Sequence, residues 1–141
     1  MTEHEVVGAV LVDRARVLLC HRRPDRAWYS DVWDLPGGHV EPAESLRAAL
    51  ERECHEELGI DVLEAAVMNQ GGDGEVTLSV FLVTRWLGEP ANRALPEHDA
   101  VSWFAAGDLD ELDLADDRYR PLLRDALVGA GQDIAPRSAK W

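Results

Sequence analysis

Two periods of apolar residues divide the chain. Val6 to Val12 and Val17 to Cys20 are short β-branched or aliphatic runs, and Asp13-Arg14-Ala15-Arg16 between them has the polarity of a turn, so the pair predicts two strands joined tightly. Trp33-Asp34-Leu35 predicts a brief extended piece leading into a Pro36-Gly37-Gly38 loop, where glycine permits positive φ and close backbone approach. From Pro42 to Gly59 the period becomes helical. Leu46, Ala49 and Leu50 mark one face, Arg47, Glu51, Arg52 and His55 mark the other, and Gly59 supplies the stop. Val62 to Met68, a Gly71-Gly72-Asp73-Gly74 turn and Glu75 to Trp86 predict a hairpin. In its second strand Val76, Leu78, Val80 and Leu82 alternate with Thr77, Ser79, Phe81 and Val83. Gly88 to Pro96 is a loop, Ala100 to Phe104 a short strand, and Asp116 to Val128 a second helix with Tyr119, Leu122, Leu123, Ala126 and Leu127 on one side. Residues 129–141 have no period and are expected to be loose. Strands mixed with two helices indicate an α/β protein with helices on both faces of a mixed sheet.

The end of the first helix breaks the amphipathic rule. Glu53, Glu56 and Glu57 fall within roughly 100° of one another on a helix of about 3.6 residues per turn, on the arc that Leu46, Ala49 and Leu50 begin. Charge runs usually face water, and a solvated acidic helix end is the plain alternative. Like charges at these spacings repel, however, and they stand at the helix C-terminus, where the macrodipole favours cations. Both terms ask for a compensating ion. Carboxylate oxygens select a hard divalent cation, Mg²⁺ or Mn²⁺, over zinc.

Composition narrows the partners. At 141 residues and 46% hydrophobic content, residues 1–141 suit one domain. No stretch approaches the roughly 18 consecutive apolar residues of a membrane span, and the charged MTEHE start precedes a run unlike a signal peptide, so a cytoplasmic protein without a membrane partner is expected. Cys20 and Cys54 are far apart and form no CxxC pair, which gives no sign of a zinc site or a disulfide framework. The formal charge of −13 disfavours nucleic-acid polymers, whose phosphates need basic surface. A free nucleotide is also anionic, and an acidic protein must meet it with a metal or a few placed arginines.

Gly38, then Glu44, then Arg52-Glu53-Cys54-His55-Glu56-Glu57-Leu58-Gly59-Ile60 resembles the Nudix box, the signature of hydrolases that cleave a nucleoside diphosphate linked to another group. Its spacing fixes seven polar or glycine positions across 23 residues, from Gly38 to Ile60. Cys54 departs from it, standing where the family usually has a bulky aliphatic residue; a buried thiol behaves as a small hydrophobe. The resemblance implies a Nudix-type α/β/α sandwich around a mixed β-sheet and Mg²⁺ or Mn²⁺ as cofactor. Glu53 and Glu57 are implied as metal ligands, the Gly38 carbonyl as a further ligand, and Glu56 as ligand or general base. Arg52 is expected to hold a catalytic carboxylate in place, with Glu44 as its other partner.

Arg22 and Arg23, after the second strand, are candidates to clamp a phosphate, and the alternative is two solvated strand-end arginines. His39 is a candidate for the phosphates or an idle turn residue. Trp33, Trp28 and Tyr29 can stack on a base or pack in the core. Glu97 and His98 stand where some enzymes of the family place a ligand or base outside the box. The parts around Trp33 to His39 and Pro96 to Phe104 look similar to enzymes that cleave oxidised purine triphosphates such as 8-oxo-dGTP. The expected reaction is cleavage of a nucleoside triphosphate to monophosphate and pyrophosphate. Hydrolysis of ADP-ribose or another nucleoside diphosphate derivative, and a nucleotide-binding sensor without turnover, stand as alternatives. A homodimer is left open.

Overall fold

The computed structural model of the chain describes residues 4–25, 30–72 and 74–132. Strand β1 (His4–Asp13) turns into β2 (Arg16–Arg22) through Arg14 and Ala15, both left-handed at φ 54° and 62°. That two-residue turn matches the natural twist of the strands it joins. Next come β3 (Trp33–Asp34), β4 (Gly37–His39), helix α1 (Leu46–Leu58), β5 (Asp61–Gly72), β6 (Val76–Leu87), β7 (His98–Ala105), a 3₁₀ turn (Ala106–Glu111) and α2 (Tyr119–Gln132). No helix among the described residues is long and apolar enough to cross a membrane.

The sheet is mixed. β1 runs parallel to β6, β6 pairs antiparallel with β5, and β2 pairs antiparallel with β7. The free edge of β1 is divided: Val12 and Asp13 pair with β2, whereas Val6, Val7 and Gly8 pair with His39, Gly38 and Gly37 of β4. The two halves of the sheet therefore diverge between β1 and β2, and the chain from β3 to β4 crosses the gap.

Alternation along β1 feeds two cores. Val7, Ala9 and Leu11 join Ala49, Leu50, Cys54 and Leu58 of α1, while Val10 and Val12 join Leu123, Ala126 and Leu127 of α2 on the opposite face. This is the expected α/β/α layering.

Three boundaries differ from the sequence expectation. Helix α2 starts at Tyr119 instead of Asp116 and runs to Gln132, so residues 129–132, expected to be loose, are helical. Helix α1 does not begin near Pro42: Ala43 is left-handed at φ 67°, and Ser45 is the cap, its Oγ accepting the Ala48 N–H at 3.0 Å. The Ser45 hydroxyl satisfies one of the orphan N–H groups of the first turn, and this cap sets the start. The glycine loop also contains a strand, β4, that periodicity could not reveal in three residues. The helix stop is as expected, with Gly59 left-handed at φ 74°. The predicted hairpin is present as β5 and β6.

Candidate active site

Fully buried Leu50 and Leu58 seat α1 on the sheet, and each such side chain is worth about 1.5–3 kcal/mol in apolar burial. This fixes the rotation of the helix and hence the fate of each acid. Glu57 is carried inward and is 6% exposed. Glu53 points to the β4 backbone and its side chain is only 12% exposed. Glu56, at the far edge of the same arc, is turned out, with 58% of its side chain exposed. The three acids do not share one burial environment, because about 100° of arc is enough to pass from core to rim.

Backbone geometry ties the pair to the glycine strand. The Gly37 N–H donates to Glu57 Oε1 at 3.2 Å. A Cβ added at Gly38 would lie 2.4 Å from Glu53 Oε2, so only glycine permits this approach. At Gly37 the added Cβ would lie 2.0 Å from the Val7 carbonyl oxygen.

Arg52 holds the arrangement from outside. Its Nε and one terminal nitrogen grip both oxygens of Glu44 at 2.8 and 2.9 Å. The other terminal nitrogen reaches Glu53 Oε2 at 2.9 Å and Glu56 Oε1 at 3.4 Å, and a further donation goes to the His39 carbonyl at 2.9 Å. One planar guanidinium thus joins the loop before α1, the end of β4 and the acids of α1. Its hydrogen bonds hold the Glu44 carboxyl down at about 2.

Burial pushes the Glu57 carboxyl up to about 9, the neighbouring Glu53 adds to the effect, and the Gly37 N–H opposes it. At neutral pH the pair keeps a proton unless another cation takes its place. The two carboxylates offer oxygen ligands to a shared cleft, which fits a hard divalent ion.

These groups face a cleft of about 660 Å³. Gly38, His39, Arg22, Glu97 and Arg118 also line it, together with Asp34 and Asp116. Six carboxylates (Glu41, Glu53, Glu57, Glu97, Asp34, Asp116) and three arginines (Arg22, Arg52, Arg118) line it. Arg22 approaches Asp34 at 3.9 Å, and desolvation raises the Asp34 carboxyl.

The other candidates are placed differently. Arg23 does not line the cleft; it pairs with Asp25 at 3.2 Å and donates to the Leu95 carbonyl at 3.5 Å. Trp33 also stays out, packing with its ring centroid 4.8 Å from both His21 and Phe104. Pairing of β3 with β2 turns the indole onto the α2 core, away from a ligand. Trp28 and Tyr29 lie outside the described residues. Asp34, Asp116 and Arg118 were missed because an isolated acid or a helix-flanking arginine carries no local signal.

The Cys20 thiol was missed in another way. Cys20, Glu57 and His98, all buried, bring ligand atoms within 4.8 Å of one another, although β2, α1 and β7 separate them in the chain. The spacing of the cysteines gave no sign of this. Burial raises both thiols, Cys54 to about 12. Cys54 is fully buried in the α1 core, as its reading as a small hydrophobe requires.

Residues 2–126 match the NUDIX domain family. Along 145 aligned positions the chain is 36% identical to a putative 8-oxo-dGTP diphosphatase 2 of Mycobacterium tuberculosis, covering 97% of this chain and 99% of that one. Along 103 positions it is 46% identical to a CTP pyrophosphohydrolase of Escherichia coli K12, covering 70% of this chain and 73% of that one. The crystal structure of a MutT NUDIX hydrolase from Burkholderia pseudomallei superposes with a TM-score of 0.70 at 32% identity, over 90% of this chain and 97% of the other. The chain belongs to the NUDIX family and is a Nudix hydrolase.

Proposed function

We propose that this Nudix hydrolase is a Mg²⁺- or Mn²⁺-dependent pyrophosphohydrolase that splits a nucleoside triphosphate into the monophosphate and pyrophosphate. The observation that carries the reading is the Glu53–Glu57 pair pressed against the β4 glycines in a cleft richer in carboxylates than in arginines. Such a cleft repels a triphosphate until cations bind, and its deepest acids already retain a proton that a cation can replace. When bound, the divalent ion neutralises charge on the phosphoryl oxygens.

The chain's residues then have distinct tasks. Glu53, Glu57 and the Gly38 carbonyl hold the ion, and Glu56 joins from the rim as ligand or base. Arg52 fixes Glu53 and the His39 carbonyl so that the ligand set is rigid before substrate arrives. Arg22, His39 and Arg118 line the cleft and receive the phosphates or the nucleoside end. A water that gives its proton to Glu56, or to Glu97 of the cleft lining, attacks phosphorus, and the bridging P–O bond breaks to release pyrophosphate. The same reading takes residues 1–141 as one domain.

Two similarities point to the substrate. The relative named an 8-oxo-dGTP diphosphatase spans nearly the whole chain, which favours an oxidised purine triphosphate. The higher identity to a CTP pyrophosphohydrolase favours a pyrimidine triphosphate as the second reading. The test is an assay with Mg²⁺ of 8-oxo-dGTP, dGTP, CTP, the other normal triphosphates, ADP-ribose and a dinucleoside polyphosphate, with kcat/KM and the released phosphates measured for each. Pyrophosphate from a triphosphate, fastest with 8-oxo-dGTP, is the expected result. Fastest turnover of ADP-ribose overturns the triphosphate reading, and tight binding without turnover makes the chain a sensor.

A further inference from the structure

Glu57 lines the cleft and also lies against a second set of candidate ligands. Cys20 lies on β2, His98 begins β7, and Glu57 is in the last turn of α1. A single thiol in this position would be a packed core residue. Here an imidazole and a carboxylate reach the same point, and the ligand atoms lie within 4.8 Å of one another. We propose that Cys20, Glu57 and His98 form a second metal site, for a borderline-soft divalent ion of the zinc class, that inhibits the hydrolase by taking Glu57 out of the nucleotide site.

Chemistry selects the ion. A thiolate, an imidazole and one carboxylate favour zinc-class ions over Mg²⁺, whose preference is for oxygen alone. Zinc bonds to sulfur, nitrogen and oxygen run about 2.0–2.3 Å, so ligand atoms around one tetrahedral ion are ~3.5 Å apart. Each atom here needs an inward shift of well under ~1 Å. As the metal–sulfur bond forms, the thiol releases its proton to solvent, and Glu57 gives up the proton it shares with Glu53.

The fold supplies a frame for the three groups. His98 N–H donates to the Ala94 carbonyl at 2.8 Å and its carbonyl accepts from Asn92 Nδ2 at 2.9 Å. The Arg93 N–H in the same loop donates to the Glu57 carbonyl at 2.8 Å, tying the loop before β7 to the end of α1. Cys20 is held between Asp34 of β3 and Val101 of β7. Glu57 is the member that lines the cleft, so the ion enters by that carboxylate. A single side chain then serves two sites with opposite preferences, and occupancy of one excludes the other.

The inhibitory half of the proposal rests on the hydrolase reading, whereas metal binding does not. The full chain is titrated with Co²⁺ in Mg²⁺-free buffer and followed in the near ultraviolet, where a cobalt–thiolate bond gives a charge-transfer band that an all-oxygen site cannot give. The wild type and Cys54→Ala should show the band. Cys20→Ala and Cys20→Val should lack it, the valine variant serving if alanine leaves too large a cavity, and His98→Gln should need at least about tenfold more Co²⁺, the lower end of the cost of losing even an outer-shell partner. With Mg²⁺ present, half-inhibition of hydrolysis by Zn²⁺ should require at least about tenfold more Zn²⁺ in the Cys20 variants. No band in the wild type, or a band that survives both Cys20 substitutions, overturns the site. A cobalt band in a chain that hydrolyses no nucleotide leaves the site standing and removes only the hydrolase reading.

Discussion

Replacing Glu57 by glutamine should stabilise the metal-free protein increasingly as pH rises. The folded carboxyl titrates at about 9 instead of its ordinary 4.5, because it is buried and lies beside Glu53. Below the unfolded value both states hold the proton and no stability is lost. Between the two values the unfolded chain releases a proton that the folded chain keeps, so folding loses about 1.4 kcal/mol per pH unit. At pH 7.5 the loss is about three such units, or ~4 kcal/mol, a large share of a typical 5–15 kcal/mol. The loss is complete above the folded value.

Glutamine cannot ionise, still accepts from the Gly37 N–H through its oxygen, and can donate to Glu53 through its amide. Urea unfolding in EDTA at pH 5.5, 6.5 and 7.5 should show the gap between Glu57→Gln and wild type widening by ~3 kcal/mol, or roughly 1–2 M in midpoint. Saturating Mg²⁺ should flatten the wild-type profile, because the ion takes the place of the proton, and should leave the variant unmoved. Parallel pH profiles in EDTA would refute the account of a proton held by the buried pair.

The remaining predictions concern the frame around that pair. Arg52→Lys loses the planar fork on Glu44 and should lower kcat by about 10–100-fold in a steady-state assay while circular dichroism shows the fold retained. Gly38→Ala places a Cβ against the Glu53 carboxylate, a flexible end that can swing away. Its melting temperature should therefore change little, while activity drops by about 10²-fold, the usual cost of a 1 Å misplacement. Glu44 is held at about 2 by Arg52, so its stabilising contribution is complete above pH 4.5 and is lost as pH falls toward 2; acid unfolding should show a shallower decline for Glu44→Gln than for wild type over that window.

Local chemistry made helix α1 legible in one dimension. The apolar period of Leu46, Ala49 and Leu50, the glycine stop at Gly59, the alternation in β6 and the turn between β1 and β2 each arise from residues close in sequence, whose preferences act before any tertiary contact. The spacing of Gly38, Glu44, Arg52, Glu53 and Glu57 was readable for the same reason, since one helix and the loop before it bring them together. The Arg52–Glu44 grip needed only that segment.

What packing decided was orientation and company. Whether Glu56 faced core or solvent depended on how Leu50 and Leu58 seated the helix, a rotation that no local preference sets. Trp33 followed the pairing of β3 with β2 into the core and Arg23 turned to Asp25, although both are as close to the cleft residues in sequence as Arg22 is. Asp34 entered the cleft from β3, Glu97 from the loop before β7, and Asp116 and Arg118 together from the turn before α2. Cys20 and His98 met Glu57 only because β2 and β7 pair beneath the end of α1. Sequence periodicity fixes which face of an element is apolar; the sheet order and the fit of one side chain against another determine what that face meets.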